Sequence, residues 1–273
     1  MLEAVDALGY CPHLAARALA EGRAPTLALM VSSIANPFYP EFVLVTNANL
    51  DFADLHTTES RGTPVVLCMW ERPNEPPGLP CVAVDFRLAG EMAGAHLLEL
   101  GHRRIGAIVS SKSSGIHAAR YQGFVDALRA ARVPKGRVKH APDTIQGGYD
   151  ATRALLEADP KITGIYATND LPALGAMHAA ADLGLSEPGD LSVIGITDIQ
   201  LARESRPALT TVAVPIVEVA ELAVSLLREL IEPSYGQAAR AGTAGDDKAS
   251  APMRISSPPQ LVVRASTGAP RER

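Results

Sequence analysis

Residues 97–110 read LLELGHRRIGAIVS. Leu97 and Leu100 complete a helical stripe that Ala89 and Ala93 begin, and Gly101 ends it. IGAIVS (Ile105–Ser110) then follows as a continuous apolar strand, the pattern of a strand covered on both faces. Working outward, the unit repeats. Tyr121, Phe124, Val125 and Leu128 mark a second helix at i, i+3, i+4, i+7. A helix around Tyr149 to Leu156 precedes ITGIYAT (Ile162–Thr168), and a helix from Pro172 to Leu183 precedes LSVIGIT (Leu191–Thr197). Strands alternating with helices of this length form right-handed βαβ crossovers and a parallel sheet, so the class is α/β.

The flanks are less regular. Strand patterns lie at Thr26–Ser33, Phe42–Asn47, Thr63–Trp70 and Cys81–Asp85. The linkers between them are short for full crossovers, since a βαβ unit takes about 30 residues, so this part is expected to be thin on one face. After Thr211 an amphipathic helix turns Ala220, Ala223, Val224, Leu227 and Ile231 inward. Residues 233–258 are rich in Ala, Gly, Ser and Pro without periodicity and read as a disordered insertion. QLVVRAS (Gln260–Ser266) restores one last strand.

The bulk properties narrow the function classes. A chain of 273 residues, 47% hydrophobic and 20% charged, is an ordinary globular composition with ample length for a core. No apolar run is long enough to cross a membrane and no signal peptide is evident, so the expected compartment is the cytoplasm. Cys11, Cys68 and Cys81 lack metal or disulfide spacing. Net charge is −5, so the chain as a whole does not attract nucleic acid. Dinucleotide, P-loop, zincin and nucleophile-elbow motifs are absent, so no enzyme, cofactor or metal is expected. His102 reads as part of a turn.

In open parallel sheets ligands bind beyond the carboxyl ends of the strands. Here those ends are polar: Ser32-Ser33, Asp85, Ser110-Ser111, Thr168-Asn169-Asp170 and Thr197-Asp198. Arg120 sits near the start of the helix after the SSKSSGIHA loop and can reach the same edge. Such a set suits a small polar ligand held by paired hydrogen bonds. Phe38 and Tyr39, an adjacent aromatic pair at a strand end in a chain with few aromatics, are further candidates. Competing structural roles are an N-cap for Asp170, solvation before a helix for Asp85, core packing for Phe38 and Tyr39, and an ion pair with Glu91 for Arg120.

The order of AVDALGYCPHLAARALAEGR, SSIANPFYPEF, VAVDFRLAGEMAGAHLLELGHRRIGAI, ARYQGFVDAL, YATNDLPALGAMHAAADLGLSEPGDLSVIGITD, PALTTVAVP and LVVRAST resembles the LacI/GalR family of bacterial transcription regulators along nearly the whole chain. The resemblance implies two doubly wound parallel-sheet subdomains joined by three crossovers, like type I periplasmic binding proteins. It divides the chain into residues 1–25 (a remnant of the helix-turn-helix domain plus a hinge helix), 26–85 with 212–232 (a shortened N-terminal subdomain), and 86–211 with 259–268 (the C-terminal subdomain).

It also implies an effector site at Phe38, Tyr39, Asp85, Arg120, Asn169, Thr197 and Asp198, taking a sugar or nucleoside-like molecule. Thr197 stands where relatives carry their first carboxylate, which implies a weaker contact there. His13, Arg17 and Leu19 match the DNA-contacting hinge helix, with Leu19 the minor-groove wedge. So short a helix is expected to order only on DNA. Met1 aligns within the third helix of the DNA-binding domain, so this chain alone is expected to bind operator weakly or not at all. The family pairs side by side, which implies a homodimer. The alternative is a cytoplasmic sugar-binding protein without DNA-binding activity. Arg120→Ala is expected to abolish ligand-induced stabilisation while leaving the free chain's melting temperature nearly unchanged.

Overall fold

The computed structural model describes residues 65–75, 77–110, 115–231 and 251–271. The strands expected at Thr26–Ser33 and Phe42–Asn47, and the hinge helix, lie outside them. Two sheets carry the fold. The smaller runs in the order β1 (Leu67–Trp70), β2 (Cys81–Ala83), β8 (Met253–Ile255), all parallel. The larger runs β4 (Val138–Ala141), β3 (Ile105–Ser110), β5 (Gly164–Ala167), β6 (Ser192–Thr197), β7 (Thr210–Ala213), β9 (Gln260–Val262). Its first five strands are parallel and β9 is antiparallel to β7.

The intervening helices are α1 (Phe86–Glu99), α2 (Gly115–Ala130), α3 (Ile145–Ala158), α4 (Asp170–Asp182), the short α5 (Gln200–Glu204) and α6 (Ile216–Ile231). Among the described residues the chain passes between the sheets three times, at Val84–Asp85, Val214–Pro215 and after Ile255. The third passage is tied to the others. Ser256 N–H donates to the Ala83 carbonyl at 3.0 Å, and Glu218 on α6 accepts from Ser257 N–H at 2.9 Å.

Local chemistry sets the element ends. Asp85 caps α1 by accepting from Leu88 N–H at 2.8 Å, and Gly101 follows that helix at φ +100°. Every residue of β3 and β6 is buried, as strands with helices on both faces require. The pair α1–α2 meets at van der Waals limits. A Cβ on Gly90 would stand 1.7 Å from the Arg120 carbonyl oxygen, and one on Gly123 would stand 1.8 Å from the Arg87 carbonyl oxygen. His102 does more than turn the chain. Fully buried, it bonds Thr163 Oγ1 at 2.9 Å and the Gly268 carbonyl at 3.0 Å, pinning the segment after β9.

Several expectations need correction. Residues 253–255 of the supposed disordered insertion form β8, paired to β2 over a long sequence separation that leaves no local pattern. The expected subdomain boundary after residue 211 falls inside β7, which continues to Ala213. On α6 the inward residues include Val219, Ala223, Leu226 and Leu227, whereas Val224 is exposed. β4 and β7 were not expected as strands. β4 is a polar edge strand, and β7 begins with two buried threonines whose hydroxyls are hydrogen-bonded.

Candidate functional site

At the carboxyl ends of β3 and β5 the polar residues converge as the topology dictates. Thr168, directly after β5, is the hub. Its hydroxyl accepts from Ser110 N–H at 3.2 Å and lies 3.1 Å from His117 Nδ1, and its carbonyl accepts from Arg120 Nη1 at 2.8 Å. Asn169 caps α4 through Leu171 N–H and turns its amide Nδ2 to Asp143 Oδ2 at 3.1 Å. Asp143, after β4, stands 3.8 Å from His117 Nε2. Ser110 Oγ is buried with no hydrogen-bond partner among the described residues. One connected group, Ser110, His117, Arg120, Asp143, Thr168 and Asn169, thus spans two strand ends, a loop and a helix.

Arg120 is only 2% exposed, and its guanidinium carbon lies 4.7 Å above the Phe86 ring, next to the α1 cap Asp85. That revises the expected role. Arg120 braces α2 against α1 and the β5 end as well as facing the site, so Arg120→Ala should destabilise even the ligand-free protein, by about 2 kcal/mol or more. Urea denaturation of the free variant checks this.

Burial and the neighbouring Arg120 push His117 down to about 3, despite the Asp143 carboxylate nearby. Between its ordinary 6.5 and 3 the unfolded chain binds a proton that the folded chain refuses. Stability therefore falls on acidification through that window, by up to about 1.4 kcal/mol per pH unit. His117→Asn removes this share. The stability difference between pH 7 and pH 4.5 should shrink by about 2–3 kcal/mol in the variant, and an unchanged difference would refute the assignment.

The β6 end is arranged differently. Asp170, fully buried in the first turn of α4, accepts from Thr211 Oγ1 at 2.6 Å, Ile199 N–H at 3.0 Å and Thr197 Oγ1 at 3.1 Å. Burial pushes its carboxyl up while these three hydrogen bonds pull it down, and burial is the larger effect. The cap of α4 is Asn169, so Asp170 is a strut between strands and not the N-cap.

Thr197 sits at φ +133°, a costly angle for a β-branched residue, and Asp198 at φ +60°. Both are held from outside: Thr197 by Asp170, and Asp198 by Arg264 at 2.6 Å and Arg203 at 3.0 Å. Sequence reasoning offered both to a ligand. The structure commits the Thr197 hydroxyl to Asp170 and the Asp198 oxygens to two arginines.

Phe38, Tyr39, His13, Arg17, Leu19, Ser32 and Ser33 lie outside the described residues. His117 and Asp143 were missed. His117 could have been found as the residue one helical turn before Arg120 on the same face. Asp143 follows a strand too polar to be recognised. Among the described residues no group of His, Cys, Asp and Glu could hold a metal ion, and no helix is long and apolar enough to cross a membrane.

Residues 95–267 match the family described as periplasmic binding protein-like domain. Catabolite control protein A of Priestia megaterium is 26% identical over 269 residues, 83% of this chain and 81% of that protein. The HTH-type transcriptional regulator GalR of Salmonella typhimurium is 30% identical over 268 residues, 82% of this chain and 78% of that protein. Among solved structures, a LacI family transcriptional regulator from Enterococcus faecium with bound ribose superposes with a TM-score of 0.73 at 24% identity, covering 89% of this chain and 98% of that one.

Proposed function

The chain belongs to the LacI/GalR family of ligand-responsive transcriptional regulators, and from that premise we propose that its effector is a small sugar or nucleoside-like molecule seated on the Arg120–Thr168–Asn169 group. The observation that carries the proposal is the connected cluster at the β3 and β5 ends, where a buried arginine, an amide, an imidazole and a carboxylate meet. Ribose in the Enterococcus faecium relative is in keeping with a small polyhydroxy effector. With Thr197 and Asp198 committed elsewhere, recognition falls to the β3–β5 side. Asp85, at the first crossover, Phe38 and Tyr39 are proposed to complete the site. Operator binding, weak or absent for this chain alone, is assigned to the full-length protein as a pair, with His13, Arg17 and Leu19 in the hinge contact. Relatives are transcriptional regulators.

Melting curves with ribose, other pentoses, hexoses, disaccharides and nucleosides test this. At a hundredfold excess over Kd a true effector adds about 2.7 kcal/mol, which raises the melting temperature by roughly 5–10 °C for a domain of this size. Asn169→Ser is the discriminating variant, since Ser retains the helix cap and removes only the amide that faces Asp143. It should weaken the effector about tenfold while barely changing the free protein. A panel without any stabilising compound, or full affinity in Asn169→Ser, would overturn the assignment.

A further inference from the structure

Between Asp126 and Asp143 the sequence contains five Lys or Arg residues and not one carboxylate, in a chain whose net charge is −5. Arg129 pairs with Asp126. The other four, Arg132, Lys135, Arg137 and Lys139, are exposed and none is within ion-pair distance of a carboxylate among the described residues, although Arg137 is near enough to Asp159 to help lower its carboxyl. They lie in and just before β4, the end strand of the six-stranded sheet. Lys135 is anchored over the Tyr121 ring at 5.1 Å, which fixes the approach to the strand.

Among the described residues no strand pairs with the outer side of β4. Ala107 N–H donates to the Arg137 carbonyl at 2.9 Å, and the register sets Ala107 opposite Val138 and Val109 opposite His140. In a parallel pair the residue opposite such a donor directs its own N–H and C=O away. Val138 and His140 therefore direct donors and acceptors along the rim that have no partner among the described residues, while Arg137 and Lys139 alternate with them.

We propose that β4 is a docking edge for an extended acidic segment of a partner protein, which adds to the sheet as a seventh strand. Backbone pairing to Val138 and His140 supplies the hydrogen bonds, and acidic side chains at alternate positions meet Arg137 and Lys139. Charge selects the occupant. Cations along an edge repel a second copy of the same strand but attract a strand of opposite sign, and they do so against the overall negative charge of the chain. A flat rim with directed backbone groups favours a peptide over a nucleic acid, whose phosphates need cations but no N–H ladder.

The test uses the full chain and a labelled peptide alternating Glu and Val, its Lys/Val counterpart, and a short DNA duplex as competitor. The acidic peptide should bind and the basic one should not. R137E/K139E, which leaves the backbone untouched, should weaken binding about tenfold or more. Val138→Pro should do the same, because it deletes only the outward N–H and edge strands tolerate proline; melting curves confirm that both variants fold. No binding of the Glu/Val peptide by the wild type overturns the proposal. So does a duplex that outcompetes the peptide, which would make the rim a nucleic-acid surface. Full affinity in a folded Val138→Pro variant also overturns it, as the rim would then hold polyanions by charge alone. Should Val138→Pro not fold, full affinity in R137E/K139E has the same force.

Discussion

Asp170→Ala is expected to destabilise the folded chain by about 3–6 kcal/mol, because three buried donors lose their acceptor at once and each orphaned group costs about 1–3 kcal/mol. The donors are Thr211 Oγ1, Ile199 N–H and Thr197 Oγ1. A Cβ on Gly195 would already lie 2.2 Å from Asp170 Oδ1, which shows how closely the group sits on the β6 backbone. Release of Thr197 should also relax its φ of +133°, so the β6 end loses its shape together with its stability. Asp170→Asn retains one acceptor oxygen but points an amide at the remaining donors, and should recover less than half of the loss. Urea unfolding of both variants measures this, and a cost below about 1 kcal/mol for Asp170→Ala would mean that the strands hold each other without the strut.

The second large effect is expected from a single methyl group. In Gly90→Ala the new carbon would stand 1.7 Å from the Arg120 carbonyl oxygen, a backbone atom that no rotamer change can move aside. Overpacking commonly costs about 1–3 kcal/mol where side chains can yield. Here α1 and α2 must separate as bodies, so about 3 kcal/mol or more is expected. Because the obstructing atom belongs to Arg120, the same shift drags its guanidinium from the Thr168 carbonyl and should blunt any effector response. Gly184→Ala is the control. Nothing lies within 4 Å of a Cβ there, and the cost is confined to its φ of +71°, about 1 kcal/mol. Equal melting temperatures for the two variants would contradict the close approach.

The alternating half of the fold was legible because each of its elements carries its own period. Ala89, Ala93 and Leu97 mark the buried stripe of α1 without help from any other segment, and IGAIVS marks β3. What escaped was structure whose partner lies far along the chain. β8 is three residues, Met-Arg-Ile, that become a strand only beside Cys81–Ala83. Thr210 and Thr211 read as polar, yet both are fully buried because Ser266, Thr267 and Asp170 satisfy them from distant positions.

The site divides in the same way. That strand ends would gather polar residues follows from topology alone, and Arg120, Thr168 and Asn169 do meet. Which carboxylates serve the fold does not follow. Asp198 looks available until Arg264, 66 positions later, closes on it.

The smaller sheet joins strands made early and late. Cys81 lies opposite Met253, 172 positions on. A ribosome adds roughly 5–20 residues per second, so β2 waits roughly 10–35 s for its neighbour β8. During that interval one side of β2 offers unpaired backbone beside the apolar Cys81, Val82 and Ala83. The nascent chain therefore carries an adhesive seam that its own last strands must seal, and slow translation or early termination between residues 83 and 253 should send it to chaperones or into aggregates.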